Sequence, residues 1–68
     1  MNWDIVEGKW EQAKGHIRKK FNELTDDEID EAKADGQILS GKLQEKYGWT
    51  KEEADDKVND IQDEISKM

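Results

Sequence analysis

Trp3, Val6, Trp10, Ala13, Ile17, Phe21 and Leu24 follow one another at intervals of three and four residues, which lays them along one face of a helix. The spacing resumes with Ile29, Ala32, Gly36, Leu39, Leu43 and Tyr47, and again with Ala54, Val58, Ile61, Ile65 and Met68. Proline is absent and no Ser/Gly-rich linker interrupts the pattern, so residues 1 to 68 read as one small all-α domain of consecutive helices. A chain this short buries roughly 60% of the surface its unfolded form exposes, so its stability is narrow.

Two short segments fix where helices begin. Thr25 is followed three residues later by Glu28, so the hydroxyl can accept from one free backbone N–H while the carboxylate accepts from another. Leu24 and Ile29 flank this capping box as a hydrophobic staple, and Asp26 and Asp27 suit the positive end of the helix dipole. The device returns in GWTKEEA, with Thr50 and Glu53 as the box and Trp49 and Ala54 as the staple. Gly48, which tolerates left-handed backbone, closes the preceding helix after Tyr47. Asn2 caps the first helix, with Asp4 and Glu7 near its dipole.

The expected helices therefore run from about Trp3 to Lys20, 26 to 34, 37 to 47 and from Thr50 onward. Residues 26 to 47 also keep the period throughout, and one long helix is the alternative. Asp35-Gly36 favours the break, because glycine inside a helix costs roughly 1 kcal/mol relative to alanine.

The acids around Gly36 also invite a calcium reading, since an EF-hand loop places glycine sixth, oxygen ligands first, third and fifth, and glutamate twelfth. Aligned on Gly36, those ligand positions hold Glu31, Lys33, Asp35 and Lys42. Two lysines among four ligands exclude that loop, and TDDE reads as a helix start.

Setting Gly15 against Gly41 exposes a weak duplication, GHIRKKFNELTDDEI against GKLQEKYGWTKEEA with one residue dropped before the threonine. Each half is a helix ending in an aromatic residue, a tight turn and a capped second helix; two such hairpins can bury their apolar faces against each other. Chance similarity is the alternative in a sequence so rich in lysine and glutamate. Gly8, Gly15 and Gly41 either permit close helix contact or simply weaken their helices.

Only 32% of residues are apolar while 43% are charged, a balance that approaches the disordered class. Three Trp, one Phe and one Tyr argue against full disorder. No cysteine is present, so disulfides and thiolate metal sites are excluded and a reducing, cytoplasmic setting is expected. MNWDIVEGKW carries acids and no long apolar run, and reads as neither a signal peptide nor a membrane anchor.

The formal charge of −7, from 18 acids and 11 bases, opposes binding to nucleic acid or anionic lipid. The charges are uneven: Lys9, Lys14, Arg18, Lys19 and Lys20 gather early, whereas residues 22 to 37 hold seven acids and one lysine. This basic strip either faces the protein's own acidic segments or contacts an anionic partner.

Trp10 with Lys14-Gly15, then Leu24-Thr25-Asp26-Asp27, Gly36-Gln37, and above all the run Leu39-Ser40-Gly41-Lys42-Leu43-Gln44-Glu45-Lys46-Tyr47-Gly48 resemble the CsbD-like family of small bacterial stress-response proteins. The resemblance covers almost the whole chain. Asn22 departs from it, standing where many members carry glycine, but asparagine also tolerates left-handed backbone. The resemblance implies a four-helix fold of two roughly orthogonal hairpins and a role in the general stress response. It brings no established enzymatic activity, ligand or cofactor.

Little else suggests chemistry. His16 is the only histidine and is expected on an exposed helix surface, where a transition-metal site would need carboxylates alone. Ser40 and Ser66 have no histidine near them in sequence. Glu52 with Asp56, and Asp60 with Glu64, are spaced as a solvated helix face, and general acid catalysis needs a pocket that raises a pKa. No catalytic, metal or cofactor residue is assigned, and a non-enzyme is expected.

The aromatic residues are expected in the core by their spacing, with Trp3 the one expected to be partly exposed and open to a partner or a second copy of the chain. The residues set aside for a partner are thus Trp3, Lys9, Lys14, Arg18, Lys19 and Lys20. The expected state is a monomer or weak homo-oligomer.

Overall fold

The computed structural model describes residues 2–68. Five helices follow in order: α1 (Trp3–Gly8), α2 (Trp10–Lys20), α3 (Asp26–Glu31), α4 (Gly36–Tyr47) and α5 (Lys51–Ser66), with no strand among the described residues. The all-α class holds, but four expected helices have become five.

The extra helix arises because the expected run from Trp3 to Lys20 is broken at Lys9, where the backbone leaves helical geometry at φ −114° and ψ 35°. Tertiary contact outweighs local propensity here. The bend lets α1 pack on α5 while α2 packs on both α3 and α5. Val6 is fully buried, and the Trp3 indole N–H donates to the carbonyls of Ala32 (2.9 Å) and Lys33 (3.0 Å) at the end of α3. Helix C-termini leave carbonyls without intrahelical donors, and here a side chain from another helix supplies one. Trp3 is consequently 9% exposed, which corrects the expectation that it would be partly open to solvent.

Both capping boxes form. The Thr25 hydroxyl accepts from Glu28 N–H (3.2 Å) and the Glu28 carboxylate accepts from Thr25 N–H (3.0 Å), and Thr50 and Glu53 do the same at 3.1 and 3.0 Å. The two helices between residues 26 and 47 are separate. Asp35 caps α4 by accepting from Gln37 N–H at 2.9 Å, so α4 begins at Gly36 and α3 ends at Glu31, short of the expected 34. Gly48 sits at φ 69° and donates its N–H to Gln44 O at 3.0 Å, closing α4 in the left-handed conformation.

Helix α5 carries the core. Its buried stripe of Ala54, Val58, Ile61 and Ile65 faces Leu39 and Leu43 of α4, its most extensive neighbour, and reaches α1 and α2 as well. Met68, expected to continue the stripe, is 46% exposed, because the helix ends at Ser66.

A methyl group added at Gly8, Gly15 or Gly41 would meet nothing within 4 Å, so these glycines do not serve close helix contact. Gly15→Ala and Gly41→Ala are each expected to raise unfolding stability by up to about 1 kcal/mol, and Gly48→Ala to lower it by about 1 kcal/mol. Urea titrations followed by circular dichroism check both signs. Trp3→Phe removes the donor to two carbonyls but keeps most of the apolar bulk; a loss of about 1–3 kcal/mol is expected in the same titration.

Candidate interaction surface

Two groups of side chains lie where a partner could meet them: an aromatic stack at the ends of α2 and α4, and the basic strip of the first third. Phe21 ends α2 and Tyr47 ends α4, and the turns after them bring both rings against Trp49. Tyr47 and Trp49 stack with centroids 4.5 Å apart and planes 13° apart, while buried Phe21 meets each edge-on at 6.4 Å. Such arrangements match the ring quadrupoles. The Tyr47 hydroxyl accepts from Glu23 N–H at 3.2 Å, and Lys57 Nζ lies over the Trp49 ring, 5.7 Å from its centroid. Tyr47 and Trp49 are half-buried, so the stack is core on its Phe21 side and surface on the other.

The basic strip does not converge on one outward patch. Lys14 contacts both carboxylate oxygens of Asp30 at 2.9 and 3.0 Å, and Arg18 Nε lies 2.9 Å from Asp26. These two therefore face α3. Lys20 pairs with Glu64 of α5 at 2.9 Å, Lys9 donates to the Met68 carbonyl at 3.1 Å, and Lys19 makes no ion pair among the described residues. His16 is exposed, and the described residues contain no group of three or more potential metal-ligating side chains. Trp10, half-buried, donates its indole N–H to Asp30 at 3.3 Å beside Lys14.

A second polar group escaped the sequence reading. Ser40 is almost completely buried on α4; its hydroxyl donates to Asp55 Oδ1 at 2.6 Å, and Lys51 approaches Asp55 Oδ2 at 2.8 Å. The signal was its place beside Leu39 on the buried face. Lys42 to Glu31 (2.9 Å) and Lys46 to Glu28 (3.3 Å) tie α4 to α3 in the same manner. A shallow open groove of about 450 Å³ lies where α1 meets α2, lined by Glu7, Gly8, Lys9, Trp10, Glu11 and Gln12.

These contacts set the ionisation behaviour. The Thr25 backbone N–H, helped by Lys46, holds Glu28 below the usual carboxylate range, and the Thr50 backbone N–H does so for Glu53. Lys14, with the Trp10 indole, lowers Asp30; Lys51, with the Ser40 hydroxyl, lowers Asp55. Glu64 raises Lys20 and Glu31 raises Lys42.

The arrangement defines a small, charge-dense helical protein with ion pairs that join α2 to α3 and α5, and α4 to α3. Comparison with known proteins gives that class a family. The CsbD-like family profile matches residues 4–56, and this chain belongs to the CsbD-like family. It is 45% identical over 65 residues to a UPF0337 protein of Pseudomonas aeruginosa, covering 96% of this chain and 100% of that one. It is 47% identical over 58 residues to a UPF0337 protein of Xanthomonas axonopodis pv. citri (85% and 84%), and 44% identical over 63 residues to one of Bordetella pertussis (93% and 96%). No solved structure matches significantly. No helix among the described residues is long and apolar enough to cross a membrane.

The sign of the pH dependence follows from the shifts. Glu28, Glu53, Asp30 and Asp55 have lowered folded-state pKa values, so their contribution is complete above the ordinary carboxylate range of about 4 and is lost as pH falls through and below it. Lys20 and Lys42 are raised, so theirs is complete below about pH 10 and is lost as pH rises through the folded values. The urea midpoint is expected to be flat between these limits and to fall on both sides, and Glu28→Gln with Glu53→Gln is expected to shallow the acid limb.

Proposed function

We propose that this chain is a non-enzymatic protein of the bacterial general stress response that protects other macromolecules through a hydrated acidic surface and weak contacts. The observation that carries the reading is the exposed side of α5, where Glu52, Asp56, Asp60 and Asp63 have no ion-pair partner among the described residues. Carboxylates left free in this way hold water strongly and repel one another, which keeps crowded copies apart. Membership of a family with bacterial relatives supports the physiological setting.

The competing reading, a binding module for nucleic acid or another polyanion built on Lys9, Lys14, Arg18, Lys19 and Lys20, would require Lys14, Arg18 and Lys20 to leave carboxylates 2.9 Å away. That pairing favours the hydrated-surface reading.

The test is to heat or dry a labile enzyme with the protein, with an equal mass of an unrelated acidic protein, and with a Glu52→Gln, Asp56→Asn, Asp60→Asn, Asp63→Asn variant. Greater recovered activity with the natural chain than with either control is expected. Equal recovery in all three would end the protective reading. Salt-dependent binding to DNA or RNA that weakens when Arg18 and Lys19 become glutamate would move the assignment to the binding module.

A further inference from the structure

The break at Lys9 has one local contributor, Gly8 just before it, whose cost of roughly 1 kcal/mol an otherwise regular helix tolerates. The apolar spacing from Trp3 to Ile17 runs through it in phase, no proline lies there, and Lys9 gives α2 no side-chain cap. The break also sacrifices backbone bonding. In a continuous helix the N–H groups of Trp10, Glu11 and Gln12 would donate to the carbonyls of Val6, Glu7 and Gly8, and none of these bonds is made. Only Lys9 N–H, shared between Ile5 O and Val6 O at 3.2 Å each, and Ala13 N–H to Lys9 O at 2.8 Å, carry the ladder past the bend. Residues 7 to 12, which carry the remaining groups, line the open groove there.

What holds the bend is therefore the docking of α1: Trp3 on the last carbonyls of α3, Val6 in the core, and the helix against α5. The Trp3 and α5 contacts join α1 to segments beyond α2 in the chain, and a second copy offers the same segments. With the bend straightened, Trp3 to Lys20 would form one helix of roughly 27 Å, lifting α1 off its own α3 and α5.

We propose that the protein forms a symmetric dimer by reciprocal exchange of α1, each chain straightening at Lys9 and docking Trp3 and Val6 on its partner. The docking of α1 on α3 and α5 is remade on the partner, the contacts of α1 with α2 across the bend give way to continuous helix, and each chain gains three helical hydrogen bonds that the bend forfeits. A one-residue hinge that must either bend sharply or run straight favours exchange over a mixture of intermediate angles.

The experiment is to refold a mixture of isotope-labelled and unlabelled full-length chain at millimolar concentration, separate it by size with light scattering, and record an isotope-filtered NOE spectrum. A species of twice the chain mass is expected, with cross-peaks from the Trp3 indole proton of one chain to Ala32 and Lys33 of the other. Glu11→Pro blocks the straight helix at an exposed residue in the first turn of α2, where the bent form needs no helical bond from its N–H. It is expected to keep the Trp3 indole shift and to raise the half-dimerisation concentration at least tenfold. A chain that stays monomeric at millimolar concentration, a dimer whose Trp3 cross-peaks are all within one chain, or a folded Glu11→Pro that dimerises as readily as the natural chain would each overturn the proposal. If Glu11→Pro does not fold, the natural chain's cross-peaks decide alone.

Discussion

The fold depends on the apolar stripe of α5. In a chain where 32% of residues are apolar, the core has no redundancy, and Ala54, Val58, Ile61 and Ile65 are the surface against which α1, α2 and α4 are all assembled. The stripe is held in place from several sides. The Thr50 box fixes its start, the Ser40–Asp55–Lys51 group sets it against α4, and Lys20–Glu64 ties its far end to α2. Burial supplies the energy, and these polar contacts select the arrangement.

Much of the surface charge then follows from assembly. Cations of α2 and α4 are matched to carboxylates on neighbouring helices, which reduces repulsion inside an otherwise acidic molecule. Exposed pairs of this kind contribute little individually. Their collective effect is geometric, because each joins different helices and the wrong packing would bring like charges together. Glu52, Asp56, Asp60 and Asp63 are among the acids left over, and they share the exposed side of α5.

The starts of α3 and α5 and the end of α4 were legible because they are written in short-range chemistry: Thr25 with Glu28, Thr50 with Glu53, and Gly48 each act within four residues. The break at Lys9 was not, because its cause is the docking of Trp3 and Val6 on α3 and α5, distant in sequence. The same limit explains Trp3 itself, whose spacing marked the correct helix face without revealing that carbonyls of α3 wait beyond it. The aromatic members of the stack were visible as candidates for burial, but the half-exposed pairing of Tyr47 with Trp49, and the ammonium of Lys57 above it, required the turn that joins α4 to α5. Of the basic strip, sequence supplied the members, and the fold turned Lys14 and Arg18 to α3, Lys20 to α5 and Lys9 to the Met68 carbonyl.

The three indoles occupy three different seams. Trp3 closes α1 on α3, Trp10 reaches Asp30 across α2 and α3, and Trp49 stacks where the end of α4 meets the start of α5. One is nearly enclosed and bonded to carbonyls, one is half-wet beside a carboxylate, and one is overlaid by a phenol and an ammonium. Their intrinsic fluorescence should therefore be chemically distinct, so that single-tryptophan versions of the chain turn each seam into its own optical gauge of which junction loosens first.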